Sequence, residues 1–162
     1  MQTDVAIVSI MVMLLLTSVA DAETSPSSAV AATIEGTAMA KDGDGVLFGQ
    51  IEIRLNGIAS PEDNVKKREA GGPEATANLS KLVDGVRLRC QLDGTLASSN
   101  RPVGVCFMPD GSDIGQHQVL NGHARDCPRY SKGRYARAER DARSRGKDLS
   151  AIYALPDYCA IR

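Results

Sequence analysis

Apolar and polar positions along the chain follow patterns that predict five strands and three helices. Period-two alternation or short apolar runs indicate strands at residues 32–40, 46–48, 51–55, 86–94 and 102–108. Apolar positions three or four residues apart indicate helices at 71–85, 112–122 and 132–146. One helix after the third strand and further helices at the end predict an α+β fold of the OB type, a five-stranded barrel with about three helices. Periodicity alone leaves other small α+β folds open.

The ends of the predicted helices carry recognisable signals. Pro73 lies in the first turn of the first helix, and Gly85 stands at its C-cap. Asp113 is predicted to cap the second helix, which ends at Gly122, and Gly146 ends the third.

The N-terminal segment predicts export. Residues 5–19 are almost unbroken apolar sequence, and Ala20-Asp21-Ala22 provides the small residues of a cleavage site. A membrane anchor is the competing interpretation, but a run of about fifteen residues is shorter than the roughly 20 that a bilayer requires. We therefore expect a cleaved signal peptide (1–22), a flexible leader (23–32) and one domain (33–162), periplasmic or extracellular and not attached to a membrane.

Because disulfides form in exported proteins, we expect the four cysteines to be paired. Four cysteines permit three pairings, and the sequence alone does not choose among them. We predict Cys90–Cys106, because both cysteines lie on segments that would be neighbouring strands, and Cys127–Cys159, which brackets the C-terminal helix and tail. A zinc site is the alternative, but the chain has no C-x-x-C pair and the spacings are wide.

Charge is balanced over the whole chain but not along it. The sequence has 19 basic and 20 acidic residues, whereas residues 122–147 carry 9 basic and 3 acidic residues. A run of this kind is most often a solvated helix face. The functional alternative is an attraction for polyanions.

A charged residue inside an apolar strand indicates the candidate chemistry. Arg54 lies between Ile53 and Leu55, and a buried guanidinium needs an anionic partner, which Glu62 or a ligand phosphate could supply. The "DGDG" turn (42–45) offers alternate carboxylates to a hard cation, and Arg101 precedes a later strand. Phosphodiester hydrolysis needs such parts: one group activates water, and positive charge meets the phosphorane as it forms. Taken singly, each feature has a commoner structural interpretation.

The order of several motifs resembles the staphylococcal nuclease-like (thermonuclease) family. The matching segments are "DGDG" (42–45), "IRLNGIASPE" (53–62), "GGPEATANLSKLV" (71–83), "NRPVGVCFMPDGSDI" (100–114), "VLNGHAR" (119–125) and "YARAERDARSRG" (135–146). They cover about residues 33–147, in register and in order. The resemblance implies an OB barrel, in agreement with the strand and helix pattern.

The resemblance also implies roles for individual residues. Arg54 matches the strand arginine that contacts the scissile phosphate, and Glu62 matches the general base for the attacking water. Arg101 matches the second arginine, which stabilises the pentacoordinate state and the leaving oxygen. Asp44 matches the turn aspartate that ligates Ca²⁺, and Ser60 stands where a backbone carbonyl also ligates this ion.

Two departures from the family pattern bear on the metal and the substrate. Ala59 occupies the position of a second calcium-ligating aspartate, so the predicted Ca²⁺ site is weakened. Restoring the carboxylate by Ala59→Asp is expected to raise calcium affinity and hydrolysis. The segment "ASSNR" (97–101) also lacks the Lys and Tyr that the family often carries in this loop.

The resemblance therefore implies a secreted, monomeric, Ca²⁺-dependent nuclease, a hydrolase of ester bonds whose substrate is single-stranded DNA or RNA. The alternative is a catalytically impaired OB-fold module that binds nucleic acid or protein. A third hypothesis is a structural exported domain in which Arg54 and Glu62 form a buried ion pair. Retention of Arg54, Glu62 and Arg101 favours the enzyme, whereas Ala59 favours the module.

Overall fold

The computed structural model describes residues 32–161, in which ten strands and four helices follow one another. The strands are β1 (Ala32–Thr37), β2 (Met39–Asp42), β3 (Gly45–Phe48), β4 (Ile51–Leu55), β5 (Ile58–Ala59), β6 (Asp63–Asn64), β7 (Lys67–Arg68), β8 (Arg87–Ala97), β9 (Arg101–Phe107) and β10 (Arg125–Asp126). The helices are α1 (Gly72–Val83), α2 (Ile114–Leu120), α3 (Pro128–Ser131) and α4 (Ala136–Ser144). The predicted signal peptide and nearly all of the predicted leader lie outside the described residues.

The main sheet has six strands in the order β1–β8–β9–β4–β3–β2. Neighbouring strands are antiparallel except β4 and β9, which run parallel. The predicted first strand is divided into β1 and β2, because the Ala38 amide donates to the Val86 carbonyl (2.9 Å) and the Ala38 carbonyl accepts from the Gly85 amide (3.0 Å). The prediction of an α+β fold is confirmed. Within residues 32–161, β1 and β2 lie at opposite edges of the sheet and do not pair, so its hydrogen bonding does not close.

The core lies between the sheet and the helices. Fully buried side chains come from the strands (Val46, Ile53, Leu88), from α1 (Leu79, Val83) and from α2 (Ile114, Val119). Each comes from the apolar face that periodicity predicts, and this shared burial orients the helices on the sheet.

The predicted helix ends agree with the structure, except for the beginning of the third helix. Pro73 lies in the first turn of α1, and the Asp113 carboxylate accepts from the amides of Gly115 (2.8 Å) and Gln116 (3.2 Å) at the start of α2. The third predicted helix (132–146) is wrong at its beginning. Lys132 has φ 54° and terminates α3, so the long C-terminal helix begins only at Ala136.

Both predicted disulfides are confirmed. Cys90 and Cys106 face each other across β8 and β9, with their Cα atoms 3.9 Å apart. Cys127 and Cys159 have a Cα separation of 4.7 Å, which fixes the C-terminal tail to the segment between β10 and α3. Among the helices of residues 32–161, the longest has 12 residues, and none combines the length and apolarity needed to span a bilayer.

Candidate functional site

Two neighbouring strands place Arg54 and Arg101 on one face of the main sheet. Arg54 in β4 is paired with Val103 in β9. Side chains two residues apart on a strand share a face. Glu52 therefore accompanies Arg54, and Arg101 accompanies Val103, on the same side of the sheet. Strand register alone thus brings both predicted arginines together with a carboxylate.

Arg54 forms its ion pair with Asp44 and not with Glu62. The Arg54 Nη1 group bonds the Asp44 Oδ1 atom and also lies 3.3 Å from the Asp44 carbonyl, and Nη2 donates to the Ile58 carbonyl (3.1 Å). The exposed fractions of the Arg54 and Asp44 side chains are 14% and 13%. The half-buried guanidinium therefore has the anionic partner that its environment in the strand requires. The "DGDG" turn supplies this partner.

The turn is held against the site by close backbone packing. A Cβ atom at Gly43 would overlap the Ser60 hydroxyl, so only glycine fits there. The Ser60 amide donates to Asp44 Oδ2 (3.0 Å), and the Ser60 hydroxyl donates to the His123 carbonyl (2.8 Å). These contacts fix the Asp44 carboxylate beside Arg54.

Arg101 is positioned by a one-turn 3₁₀ segment, Ser98–Asn100, and by Glu52. Its Nη1 group donates to Glu52 Oε1 (2.7 Å), and its Nε group donates to the Ser98 carbonyl (3.1 Å). Both side chains are 24% exposed. Because the pair is open to solvent on one side, an anionic ligand could reach the remaining N–H donors of Arg101.

Glu62 stands at the base of the β6–β7 hairpin. The Glu62 Oε2 atom accepts from the Asn64 side-chain amide (2.9 Å), and the Glu62 amide donates to Glu69 Oε2 (2.9 Å). A Cβ atom at Gly72 would overlap the Glu62 carbonyl, so glycine there lets the start of α1 pack against this segment. The Glu62 carboxylate is thus held by local hydrogen bonds, without a cationic partner in direct contact among residues 32–161.

The charges of these residues act on one another. Burial lowers the pKa of the Arg54 guanidinium from its ordinary value, whereas Tyr158, Asp42 and Glu62 act to raise it and Arg101 acts to lower it. A guanidinium stays protonated at neutral pH in a protein. Arg101 and Glu62 thus both lie within electrostatic range of Arg54.

The donor atoms near the turn are engaged by groups of the protein. Both carboxylate oxygens of Asp44 are engaged, by Arg54 and by the Ser60 amide, and Asp42 Oδ1 accepts from the Asp44 amide (3.2 Å). Ca²⁺ gathers 6–8 oxygen ligands. Within the described part of the chain, no three His, Cys, Asp or Glu side chains are grouped so that they could hold a metal ion. Ligation of Ca²⁺ by Asp44 and the Ser60 carbonyl stays a prediction.

Ala59 is covered by the C-terminal tail. It is fully buried in an apolar cluster with Leu149, Tyr153 and the Cys127–Cys159 disulfide. The expectation that Ala59→Asp only restores a carboxylate to an open metal site does not fit these surroundings. The predicted Cys127–Cys159 bridge implies that the tail folds back, but no local pattern predicts its contact with Ala59, because the two are distant along the chain.

Sequence reasoning missed three residues of this region. Glu52 was detectable, because it lies two positions before Arg54 on one strand and so shares its face. Gln118 is completely buried, and its side-chain amide donates to the carbonyls of Gly43 (2.7 Å) and Ala75 (3.1 Å). Tyr158, in the tail, acts electrostatically on Arg54. Neither Gln118 nor Tyr158 lies in a sequence pattern that marks its role.

The chain is thus a disulfide-bonded α+β protein, and its candidate site contains two arginines, each paired with a carboxylate. No protein-family profile matches the chain. The chain is 32% identical over 137 residues to the succinoglycan biosynthesis protein ExoI of Rhizobium meliloti (strain 1021), a similarity that covers 80% of this chain and 70% of that protein. The chain therefore belongs to the family of ExoI.

Proposed function

We propose that the protein is a phosphodiesterase of the staphylococcal nuclease-like type, which hydrolyses the backbone of DNA and RNA. The observation that carries the proposal is the convergence of Arg54 and Arg101 on one sheet face, in the electrostatic neighbourhood of Glu62. Two guanidiniums suit the phosphate, because each presents several N–H donors in a fixed plane. The adjacent carboxylate is suited to removing a proton from water.

The proposed reaction uses only these side chains. Glu62 accepts a proton from a water molecule as the water oxygen bonds to phosphorus. Arg54 and Arg101 stabilise the negative charge that develops on the phosphoryl oxygens. The bond from phosphorus to the 5′ oxygen breaks, and that oxygen takes up a proton. The products are a 5′-hydroxyl end and a 3′-phosphate end.

The ion pairs explain how the guanidiniums remain in place before substrate binds. The contacts of Arg54 with the Asp44 carboxylate, the Asp44 carbonyl and the Ile58 carbonyl engage three N–H donors of the five that a guanidinium has. Donors are left over for a phosphate oxygen. Because the Arg101–Glu52 pair is the more exposed of the two, Arg101 can exchange its carboxylate partner for a phosphate more readily than Arg54 can.

We also propose that the main sheet is of the OB type. Its two edge strands, β1 and β2, are separated in sequence by Ala38 alone. Because one residue spans less than about 4 Å, the two edges approach each other at that end. This supports a sheet that curls toward a barrel, as the family resemblance implies. The two disulfides support activity in an oxidising compartment, periplasmic or extracellular.

The experiment is a cleavage assay on labelled single-stranded DNA and RNA, with Ca²⁺ added in steps and with a chelator. We expect 5′-hydroxyl products from the wild-type protein and loss of cleavage in Arg101→Lys, because an ammonium cannot replace a two-pronged contact. Arg87→Lys is the matched control, since Arg87 forms an exposed pair with Glu35 on β1. Cleavage that is equally fast in the chelator would contradict the predicted dependence on Ca²⁺, and absence of cleavage under all conditions would contradict the proposed function.

The alternative is a module that binds nucleic acid or protein without cleaving it. It would bind single-stranded DNA with an affinity that falls in Arg101→Lys, yet release no product. The name of ExoI adds a second candidate, a part in the biosynthesis of a polysaccharide. A parallel assay of polysaccharide chain length, with and without the protein, tests this candidate. Cleavage of the polysaccharide but not of nucleic acid would favour it.

A further inference from the structure

The C-terminal tail is a fixed part of the candidate site. Cys159 is fully buried and bonded to Cys127, whose amide donates to the Gly57 carbonyl (2.9 Å) in the turn after β4. Tyr153 is also buried, in the same cluster as Ala59. The tail is therefore tied by a covalent bond and by packing to the segment that follows Arg54.

Tyr158 lies in the tail beside this anchor. It directly precedes Cys159, and the 3₁₀ turn that contains it (Asp157–Cys159) packs against α3. Arg54 donates to the Ile58 carbonyl, and the next residue, Ala59, lies in one buried cluster with Cys159. This packing places Tyr158 next to the segment to which Arg54 bonds. The charge interactions of Tyr158 with Arg54 and Lys67 agree with this placement.

The ring of Tyr158 is available for contact. It is 49% exposed, and its hydroxyl has no hydrogen-bond partner among the described residues. Tyr135 is different, because it is buried and its hydroxyl donates to Asp113 Oδ2 (2.9 Å). Although Tyr135 lies within the basic sequence run (122–147), it cannot serve as a stacking surface.

We propose that Tyr158 stacks on a nucleobase next to the phosphate bound at Arg54. The inference rests on the proposed function and deepens it, because it assigns contact with a nucleobase of the substrate to the tail that the disulfide holds. A single-stranded polynucleotide alternates phosphates with flat bases, and proteins bind it with alternating cations and aromatic rings. Arg54, Tyr158 and Lys67 provide that alternation. Since any base has a face to stack on, this contact predicts binding with little sequence preference.

The test measures binding of fluorescein-labelled oligothymidine by anisotropy, in a Glu62→Gln background so that bound DNA stays intact. Tyr158→Leu is expected to weaken binding about tenfold, the usual scale of one base–aromatic stack. Tyr158→Phe keeps the ring and is expected to bind as the background does. Ile161→Ala is the control for the tail, because Ile161 is 75% exposed and lies beyond the disulfide. Thermal unfolding of each variant checks that the tail remains docked.

The outcomes of this test distinguish a failure of the stacking inference from a failure of the proposed function. Unchanged binding in Tyr158→Leu would overturn the stacking contact, while cleavage by the wild-type protein would still support the phosphodiesterase. Equal weakening in Tyr158→Phe and Tyr158→Leu would also overturn it, because the hydroxyl and not the ring would then be the contact. If the background binds no oligothymidine and the wild-type protein cleaves none, both proposals fail together.

Discussion

At the scale of single residues, the two arginines of the candidate site differ in their carboxylate partners and in the exposure of the resulting ion pairs. Arg54 is buried in a strand and is neutralised by Asp44, whereas Arg101 shares a more open pair with Glu52. Both arginines are proposed to contact the phosphate, but the two ion pairs differ in how readily they open. The Arg54–Asp44 pair must remain intact for the turn to hold its position, and the Arg101–Glu52 pair can open to a ligand.

Removing the Arg54 guanidinium should destabilise the fold. Arg54→Leu leaves the Asp44 carboxylate largely buried without its cation, and we expect a loss of about 3 kcal/mol in the free energy of unfolding. The measurement is urea unfolding followed by far-UV circular dichroism. Arg87→Leu removes an exposed pair, with side chains 70% and 44% exposed, and is the control. It should change the free energy of unfolding by about 0.5 kcal/mol or less; equal losses in both variants would contradict the assignment.

Ala59→Asp tests the position that differs from the thermonuclease pattern. The new carboxylate would enter the apolar cluster of Leu149, Tyr153 and the second disulfide. We expect a loss of about 2 kcal/mol or more in stability, since an unpaired buried charge is costly. Ala70→Asp places the same side chain on the exposed surface beside α1 and should be nearly neutral. If Ala59→Asp were stable and bound Ca²⁺ tightly, the tail would have to leave this position readily.

A buried carboxylate should also make stability depend on pH. Burial raises the pKa of Asp126 above its ordinary value of 3.8, against the opposing effect of a hydrogen bond from Ser131. The folded state then keeps its proton to higher pH than the unfolded chain does, so this group's contribution to stability falls as pH rises above 3.8. Asp126→Asn removes the titration. Its stability relative to wild type is expected to increase as pH rises from below 3.8 to neutrality, which unfolding curves at several pH values would measure; a constant difference would contradict the assignment.

At the scale of elements, the Gln118 side chain connects α2 to α1 and to the "DGDG" turn. The Gln118 side chain bonds the carbonyls of Gly43 and Ala75 and accepts from the side chain of Asn78. One amide thereby joins α2, α1 and the "DGDG" turn. The position of Asp44 depends on this connection, although Gln118 is far from it in sequence.

Gln118→Leu should therefore lower the free energy of unfolding more than the substitution of an ordinary polar residue does. Two carbonyls and the Asn78 amide would lose their partner inside the protein, and we expect a loss of about 2–4 kcal/mol in the free energy of unfolding. Gln116→Leu, on the exposed side of the same helix, is the matched control. Urea unfolding of both variants is the measurement. A loss of similar size in the two would show that the buried amide network contributes little.

Elements with a strong local signal could be predicted from the sequence. The apolar face of α1 and the Asp113 cap of α2 follow from short-range patterns, and the structure contains both. The break between α3 and α4 was missed because Lys132, a residue that rarely adopts positive φ, terminates α3. The β6–β7 hairpin has only two residues per strand and no apolar alternation, so periodicity could not detect it.

At the scale of the whole molecule, some contacts between distant segments could be predicted and others could not. Strand register explains why Arg54 and Arg101 meet, and motif order anticipated both. The folding of the tail over Ala59 depends on a disulfide whose partners are 32 residues apart. The pairing of these cysteines was predicted, but no local pattern places the tail on Ala59, so the environments of Ala59 and Tyr158 become visible only in three dimensions. The tail thus covers Ala59 from outside the region of family resemblance.

The central claim is that Glu62, Arg54 and Arg101 form a phosphodiesterase site, and the most direct test is the initial rate of single-stranded DNA cleavage in two matched variants. Glu62→Gln removes the proposed base while keeping the shape of the side chain, and Glu35→Gln makes the same change on β1, in an exposed pair with Arg87. We predict that Glu62→Gln lowers the rate by about 10²- to 10⁴-fold, the usual contribution of a general base, and that Glu35→Gln cleaves as the wild type does. Equal rates in wild type and Glu62→Gln would contradict the account.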